Sequence, residues 1–393
     1  MDSVKLTRNL RKNILRGHPW VYPSAFDFMG SEASSSKMVK VKDSKGAQLA
    51  WGIFDPSNDI GLRILSLESK PPGVNEFKRR LKNAFDMRES FMSAETNCGR
   101  LVNGEGDLLP GMVIDRYDDV CVIQFDGQGM AEFWMDYPIK DWLLDLGSFS
   151  AILHKSRHLD SAEFIYGDTE DLIAGEGVRP GTVLVSENGV RFAVDVVRGQ
   201  KTGFFLDQRN NRQYLKQFVK SKSVLNLFSY TGGFSIYSGV AGAKKVTSVD
   251  IAKAAIDDCQ VNWSLNDLSP DSHSGVAKDC HEFLKSSDER FDVIVVDPPS
   301  MAPSEKAKPQ AIEKYIKIFG EAAKKVNREG HLILSSCSSH ISFEDFNSIV
   351  EDALGQARKT AQILRISGQG CDHPFPHFCP ELRYLKFYHL RIF

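Results

Sequence analysis

V-L-N-L-F-S-Y-T-G-G-F-S-I-Y-S-G-V-A-G-A-K-K-V-T-S-V-D, from Val224 to Asp250, is the stretch whose reading decides the fold. An apolar, β-rich run, Val224 to Phe228, meets a sharp turn at Thr231-Gly232-Gly233. A helix of small apolar residues follows, and a second strand, Lys245 to Val249, ends on Asp250. That is a strand-turn-helix-strand unit of the length a right-handed βαβ crossover needs. Glycine in the first turn lets the backbone approach a ligand, and an acid closing the second strand suits the two hydroxyls of a ribose. A nucleoside cofactor is the first expectation. The turn is not G-x-G-x-x-G, which disfavours a nicotinamide enzyme, and the two glycines could serve the turn alone.

C-terminal to this unit the pattern stays regular. Ile251 to Leu268 reads as a helix, Gly275 to Lys278 as a short strand, and Phe291 to Val296 as a fully apolar strand running into Asp297-Pro298-Pro299. Ala311 to Asn327 reads as a helix, and the strand from Gly330 runs into Ser335-Ser336-Cys337-Ser338. Ser342 with Asp345 forms a capping box for the next helix. The last β-rich runs, Ala361 to Ser367 and Tyr384 to Phe393, lack a long helix between them and should pair antiparallel. Alternating strands and helices imply an α/β, doubly wound sheet whose site lies at the strand C-termini. Asn226, Asp250, Asp297 and Cys337 all fall at such ends.

On the N-terminal side, Val190 to Val197 is a strand leading into R-G-Q-K-T-G-F-F-L-D-Q-R-N-N-R, Arg198 to Arg212. Residues 75–190 read as an α+β middle domain, with a helix over Asn75 to Thr96, a hairpin in Arg100 to Tyr117, a strand at Val120 to Phe125 and a helix over Met130 to Leu146. Short β-type runs between Met38 and Leu65 read as a small β-barrel within residues 1–72, joined by Lys70-Pro71-Pro72-Gly73. The remaining domain spans 191–393.

The chain has 393 residues, enough for two or three cores, and no apolar run long enough to span a bilayer. No secretory leader is visible, so a cytoplasmic protein with no membrane partner is expected. Seven cysteines without C-x-x-C spacing read as free thiols and suggest no metal. The net charge of −2 gives no global signal for nucleic acid, so such a signal must be local. It is local: Arg8, Arg11, Lys12 and Arg16 precede the aromatic segment R-G-H-P-W-V-Y, and Lys78, Arg79, Arg80 and Lys82 cluster on the first helix of the middle domain. Cations beside rings suit phosphate contact and base stacking, although a solvated basic face accounts for either cluster alone.

The strand-ending Asp297-Pro298-Pro299 presents a carboxylate and a carbonyl to a planar ring. An aromatic residue, which would stack on a base whose exocyclic amine is methylated, is replaced here by Ser300 and Met301. Cys337 offers different chemistry. Cytosine C5 is a poor nucleophile until a thiolate adds to C6 and makes C5 enamine-like, with a nearby acid stabilising the ring. Asp297 is the candidate acid and Cys337 the candidate nucleophile. The other six cysteines read as buried small hydrophobes.

R-G-Q-K-T-G-F-F-L-D-Q-R, L-N-L-F-S-Y-T-G-G-F-S, V-D-P-P-S-M and S-S-C-S together resemble the ribosomal RNA large-subunit methyltransferase I family of cytosine-5 methyltransferases. The resemblance extends to R-G-H-P-W-V-Y and R-L-V-N-G-E-G-D-L-L-P-G, and so covers nearly the whole chain. It implies a Rossmann-like class I methyltransferase sheet with a final antiparallel strand, behind a PUA-type RNA-binding barrel. It implies S-adenosylmethionine as cofactor and ribosomal RNA as partner, and leaves a homodimer open. By similarity Asn226, Phe228, Tyr230, Thr231 and Gly232 form the cofactor loop, with Asp250 on the ribose, Asp279 beside the adenine, and Asp297 and Pro298 at the far side. Lys201, Thr202, Gly203, Phe204, Asp207, Gln208 and Arg209 close over the methionine end. Two departures stand out: Pro299 occupies the place of the second cysteine of two-cysteine enzymes, and Met301 that of a phenylalanine. Guanine-N7 methylation of the same RNA, a small-molecule methyltransferase and a non-catalytic RNA-binding module remain alternatives.

Overall fold

A computed structural model of the chain describes residues 2–26, 36–156, 162–168, 172 and 178–393. It contains two compact units: Met1–Val185 with Val194–Leu206 and Cys371–Pro380, and Ser186–Ala193 with Asp207–Gly370 and Glu381–Phe393.

In the first unit one five-stranded sheet is built from Ser3–Lys5, Trp20–Val21, Lys37–Lys42, Gln48–Phe54 and Leu62–Ser66. Alternation within the chain puts Val39, Val41, Ala50 and Leu62 into its core. A second five-stranded sheet uses Cys98–Asn103, Met112–Tyr117, Val120–Phe125, Ala151–Lys155 and Ala162–Tyr166. Val74–Glu89 is its long helix, burying Phe77, Leu81 and Ala84. The segment Met130 to Leu146, expected as one helix, is two: Gln128–Met135 and Ile139–Leu146. Pro138 at the start of the second lacks the N–H a continuous helix would use, and that breaks it.

The second unit carries the doubly wound sheet. Its strands are β1 (Ser223–Leu227), β2 (Lys245–Asp250), β3 (His273–Ala277), β4 (Phe291–Val296), β5 (Val326–Ser336), β6 (Ala361–Ser367) and β7 (Lys386–Ile392). Its helices are α1 (Arg209–Leu215), α2 (Gly233–Val240), α3 (Lys253–Leu265), α4 (Cys280–Ser286), α5 (Lys308–Lys325) and α6 (Phe343–Ala357). The spatial order is β3-β2-β1-β4-β5-β7-β6, parallel from β3 to β5. The chain reverses direction across the sheet between β1 and β4, the switch point where α/β sheets bind ligands. β7 runs antiparallel to β5 and pairs antiparallel with β6, as the missing crossover helix requires. The capping box at Ser342 and Asp345 forms and starts α6.

The fully apolar strands read as they do because both faces are covered. Leu225, Leu227, Val249, Ile294, Val296, Leu332 and Leu334 share a core with Tyr315, Phe319 and Ile349 from α5 and α6. Phe319 meets Phe346 edge to face at 5.8 Å and 82°. Each such ring, sealed from water, contributes roughly 1.5–3 kcal/mol. The alternate positions of β1 and β2 point the other way, and there the sheet turns polar: Asn226 sits in register beside Ser248.

Candidate active site

The turn after β1 has an unusual backbone. Phe228, Tyr230 and Gly232 all adopt positive φ, at 57°, 46° and 87°. Every second residue is therefore left-handed, a course natural to glycine and held at a cost of about 1–2 kcal/mol by each of the other two. The neighbours hold it. Ser229 N donates to Val249 O at 3.0 Å, Gly232 N to Ser229 O at 2.9 Å, and Asn262 Nδ2 to Thr231 O at 2.9 Å. Tyr230 N donates to Asp250 Oδ2, and Ala252 N to Asp250 Oδ1, both at 2.9 Å. Asp250 thus fixes the turns after β1 and β2 together. A side chain at Gly232 would begin 2.3 Å from Cys259 Sγ, so the position is closed to anything larger. Ile251, directly after Asp250, is 75% exposed, an apolar surface of the kind a base covers. Sequence reading missed it, because only its exposure sets it apart.

Asp279 caps α4, its Oδ1 accepting from Glu282 N at 3.0 Å. Three buried oxygens, Asp207 Oδ1, Asn226 Oδ1 and Ser229 Oγ, have no hydrogen-bond partner among the described residues. Buried acceptors left over in this way need a donor from outside the chain, so the residues fit a cationic, amine- and hydroxyl-bearing nucleoside.

At the far side of the switch point, Asp297 follows β4. Gln208 Nε2 donates to its Oδ1 at 3.0 Å and Oδ2 at 3.1 Å, and to Ser335 Oγ at 3.0 Å. The Gln208 amide is itself fixed, because Asn211 Nδ2 donates to its Oε1 at 2.7 Å and Ser367 Oγ donates to Asn211 Oδ1 at 2.8 Å. Burial raises the Asp297 carboxyl to about 6; the neighbouring Asp207 charge adds to the rise, while the bonds from Ser335 and Gln208 oppose it. Cys337, partly exposed after β5, lies with its Sγ 3.9 Å from Pro298 O. Ser338 ties the two loops together: its Oγ accepts from Met301 N at 3.1 Å and Ala302 N at 3.2 Å and bonds the Tyr315 hydroxyl at 3.0 Å. The buried Lys386 ammonium is held by Ser338 O at 2.6 Å and Tyr384 O at 2.7 Å. Burial lowers it to about 8, and the negative form of Cys337 pulls it back, so thiol and amine lie in electrostatic reach of each other. Neither Ser338 nor Lys386 was singled out in the sequence; a lone lysine inside the apolar run Leu385 to Tyr388 was the available signal.

Asp207 Oδ2 accepts from the Tyr384 hydroxyl at 2.7 Å. Arg209 is buried with Nε 3.6 Å from Glu187 Oε2, beside Arg212, which pairs with both Glu187 oxygens at 2.8 and 2.7 Å. Lys201 to Phe204 belong to the first unit. There Thr202 Oγ1 donates to Asp115 Oδ2 at 2.6 Å, Phe204 N donates to Tyr117 Oη at 3.1 Å, and Lys201 and Gly203 have φ of 56° and 137°. Arg8, Arg11, Lys12 and Arg16 are exposed, Arg11 lying 3.4 Å from Asp43 and Arg16 lying 5.7 Å above the Phe378 ring. Lys78 pairs with Asp145, Arg79 with Glu76 and Lys82 with Asp86. Arg80 is buried, its guanidinium held by Glu76, Leu65 O and Leu108 O, which leaves no surface to offer a phosphate.

A left-handed turn after β1, an acid closing β2 and a Rossmann-like order 3-2-1-4-5-7-6 are the features of a class I methyltransferase architecture. Comparison with known proteins agrees. Residues 145–346 match the model of the S-adenosylmethionine-dependent methyltransferase family, and residues 4–67 match that of a PUA-like domain. Two relatives named ribosomal RNA large subunit methyltransferase I, from Tolumonas auensis and Photobacterium profundum, are 36% and 34% identical over 98% of both chains. A solved structure described as a SAM-dependent methyltransferase, from Streptococcus mutans, shares the fold over 100% of both chains, with 23% identity and a TM-score of 0.84. The chain belongs to the ribosomal RNA large subunit methyltransferase I family, and its cofactor is S-adenosylmethionine.

Proposed function

We propose that the protein methylates C5 of a cytosine in large-subunit (23S) ribosomal RNA through a covalent adduct with Cys337. The RNA class is that of the relatives' name, carried over from chains matching across 98% of their length. The observation that carries the chemistry is a partly exposed thiol after β5, in contact with the carbonyl one residue beyond a carboxyl raised to about 6.

The Cys337 thiolate adds to C6, and the C5–C6 π pair moves through the ring to N3. Protonated Asp297 supplies the proton N3 takes up, leaving C5 nucleophilic. Bound cofactor supplies an electrophilic methyl group there. Water entering beside the partly exposed Cys337 takes the C5 proton; the C–H pair re-forms the C5–C6 double bond, the Cys337 thiolate leaves with the C6–S pair, and the N3 proton returns to the Asp297 carboxylate. Lys386, within reach of Cys337, favours the thiolate each time it forms. A stacked cytosine shields C6, so the base must be flipped out.

The loop Asn226 to Gly232 with Asp250, Asp279 and Pro298 is the proposed cofactor cradle, with Asp207, Gln208 and Arg209 assigned to the methionine end. We assign phosphate contact to Arg8, Arg11, Lys12, Arg16, Lys78, Arg79 and Lys82, and a structural role to Arg80. The division into 1–72, 75–190 and 191–393 is proposed on the same footing.

RNA carrying 5-fluorocytidine tests the reading, since fluorine at C5 blocks the proton loss that frees the enzyme. Wild-type protein with cofactor should give a protein–RNA adduct stable on a denaturing gel, and Cys337→Ala should give none. If Cys337→Ala turned over normally, cytosine chemistry would fall and guanine N7 would take its place.

A further inference from the structure

Beneath the cofactor loop, a chain of hydrogen bonds runs from the protein surface to Asn226. Asn226 Nδ2 donates to Ser235 Oγ at 2.9 Å, Ser235 Oγ lies 2.7 Å from Ser248 Oγ, and Ser248 Oγ lies 2.8 Å from His273 Nε2. At the surface, His273 Nδ1 lies 3.0 Å from Oε1 of the exposed Gln260. Since Oε1 can only accept, Nδ1 carries the proton and Nε2 accepts. Ser248 must then donate to His273, which leaves its lone pairs to the Ser235 hydroxyl; Ser235 in turn accepts from the Asn226 amide nitrogen. Cys259 agrees with this direction. Burial pushes its thiol up to about 12, so it stays protonated, and its sulfur lies 3.6 Å from Ser248 Oγ and 3.7 Å from His273 Nε2, both of which can accept from it when Nε2 carries no proton. Every donor of the relay then meets an acceptor. The consequence appears at the far end: with its amide nitrogen committed to Ser235, Asn226 keeps Oδ1 buried and without a partner among the described residues, an acceptor left for a ligand.

We propose that His273 is a remote positioning residue that fixes the polarity of this relay, so that Asn226 presents its negative end to the positively charged methionine end of S-adenosylmethionine. The inference rests on placing the cofactor at the β1 loop. With the relay reversed, Ser248 would donate to Ser235, Ser235 to Asn226 Oδ1, and the amide nitrogen would face the cation. The imidazole is suited to holding one direction. It stacks on Trp263 at 4.6 Å and 18°, and burial lowers its pKa to about 4, so it stays neutral at working pH.

The discriminating readout is the ratio of affinities for S-adenosylmethionine and S-adenosylhomocysteine, which differ by the sulfonium charge. Ser248→Ala and His273→Phe, the latter keeping a ring against Trp263, free the relay to reverse. Each should weaken S-adenosylmethionine by about tenfold in calorimetry and S-adenosylhomocysteine by less than about threefold, the effect of one misdirected dipole on a charge. Gln260→Glu keeps the acceptor at Nδ1 and should leave both affinities as they are. In nitrogen-resolved NMR of the wild-type protein, neutral His273 should carry its proton on Nδ1. Asn226→Ala separates the two readings. If it leaves S-adenosylmethionine binding intact, the placement of the cofactor fails, and this proposal with it. If it weakens binding while Ser248→Ala and His273→Phe lower both affinities equally, or if the proton is found on Nε2, the relay alone is overturned.

Discussion

The β1 turn and the β4–β5 loops stand side by side at the switch point, yet they are stabilised in different ways. The β1 turn is a matter of backbone: three left-handed residues, two amides clamped by Asp250, and a glycine that Cys259 keeps bare. The β4–β5 side is a matter of charge: a carboxyl raised to about 6, a lysine lowered to about 8, and a half-exposed thiol among them. On the proposed function, shape holds a cofactor that is the same in every turnover. On the same proposal, shifted ionisation serves groups that give and take protons during one.

The largest effect should come from the charged side. Cys337→Ala should cut turnover by about 10⁴-fold or more, roughly 5.5 kcal/mol of barrier, with cofactor affinity within about twofold of wild type. Asp297→Asn should follow, at about 10²–10⁴-fold. The sign of the pH dependence adds a second check. In the proposed chemistry the acid form of Asp297 is the working one, and its pKa is raised, so its contribution should be full below about pH 6 and decline as pH rises through that value. The asparagine amide cannot titrate, so a pH–rate profile of the variant should lose this limb. A limb that persists in Asp297→Asn would assign it to another group.

On the shape side the effect moves from rate to affinity. Phe228→Val places a β-branched residue at a φ of 57° and should cost about 1–3 kcal/mol of stability, with cofactor affinity weakened alongside. Phe228→Gly fits the same backbone without strain and should melt close to wild type, since relief of strain offsets the greater freedom of the unfolded chain. Equal damage from both would mean that the ring, rather than the backbone, is what the cofactor reads.

Much of this was visible in the sequence, for physical reasons. The order of strands and helices follows from period and punctuation, so β1, β2, β4 and α6 emerged close to their residues, the last through its capping box. Asp250, Asp297 and Cys337 are legible because each closes a strand. Gln208 was named, but its place on Asp297 was not, since that bond joins residues 89 positions apart. The left-handed course at Phe228 and Tyr230 could not be read, because neither residue type announces a positive φ. His273 carries no motif; only its three-dimensional neighbours give it a role. The single helix expected over Met130 to Leu146 is two because Pro138 interrupts it, a residue the sequence displays.

The smallest effect belongs to neither side of the switch point and therefore isolates RNA affinity from chemistry. Arg8 and Lys12 are exposed and have no carboxylate partner among the described residues, whereas Lys82 holds Asp86 at 2.6 Å one helical turn away. A phosphate that meets Lys12 displaces only counterions, but one that meets Lys82 competes with a pair worth about 0.3–0.5 kcal/mol. Each true phosphate contact contributes roughly 0.7–0.9 to the slope of log affinity against log salt. Lys12→Glu should therefore flatten that slope by about one contact and raise KM, leaving kcat and cofactor affinity unchanged. Lys82→Glu should flatten it less. An unchanged slope in Lys12→Glu would remove the N-terminal segment from the RNA path while leaving the assignments of Cys337 and Asp297 where they are.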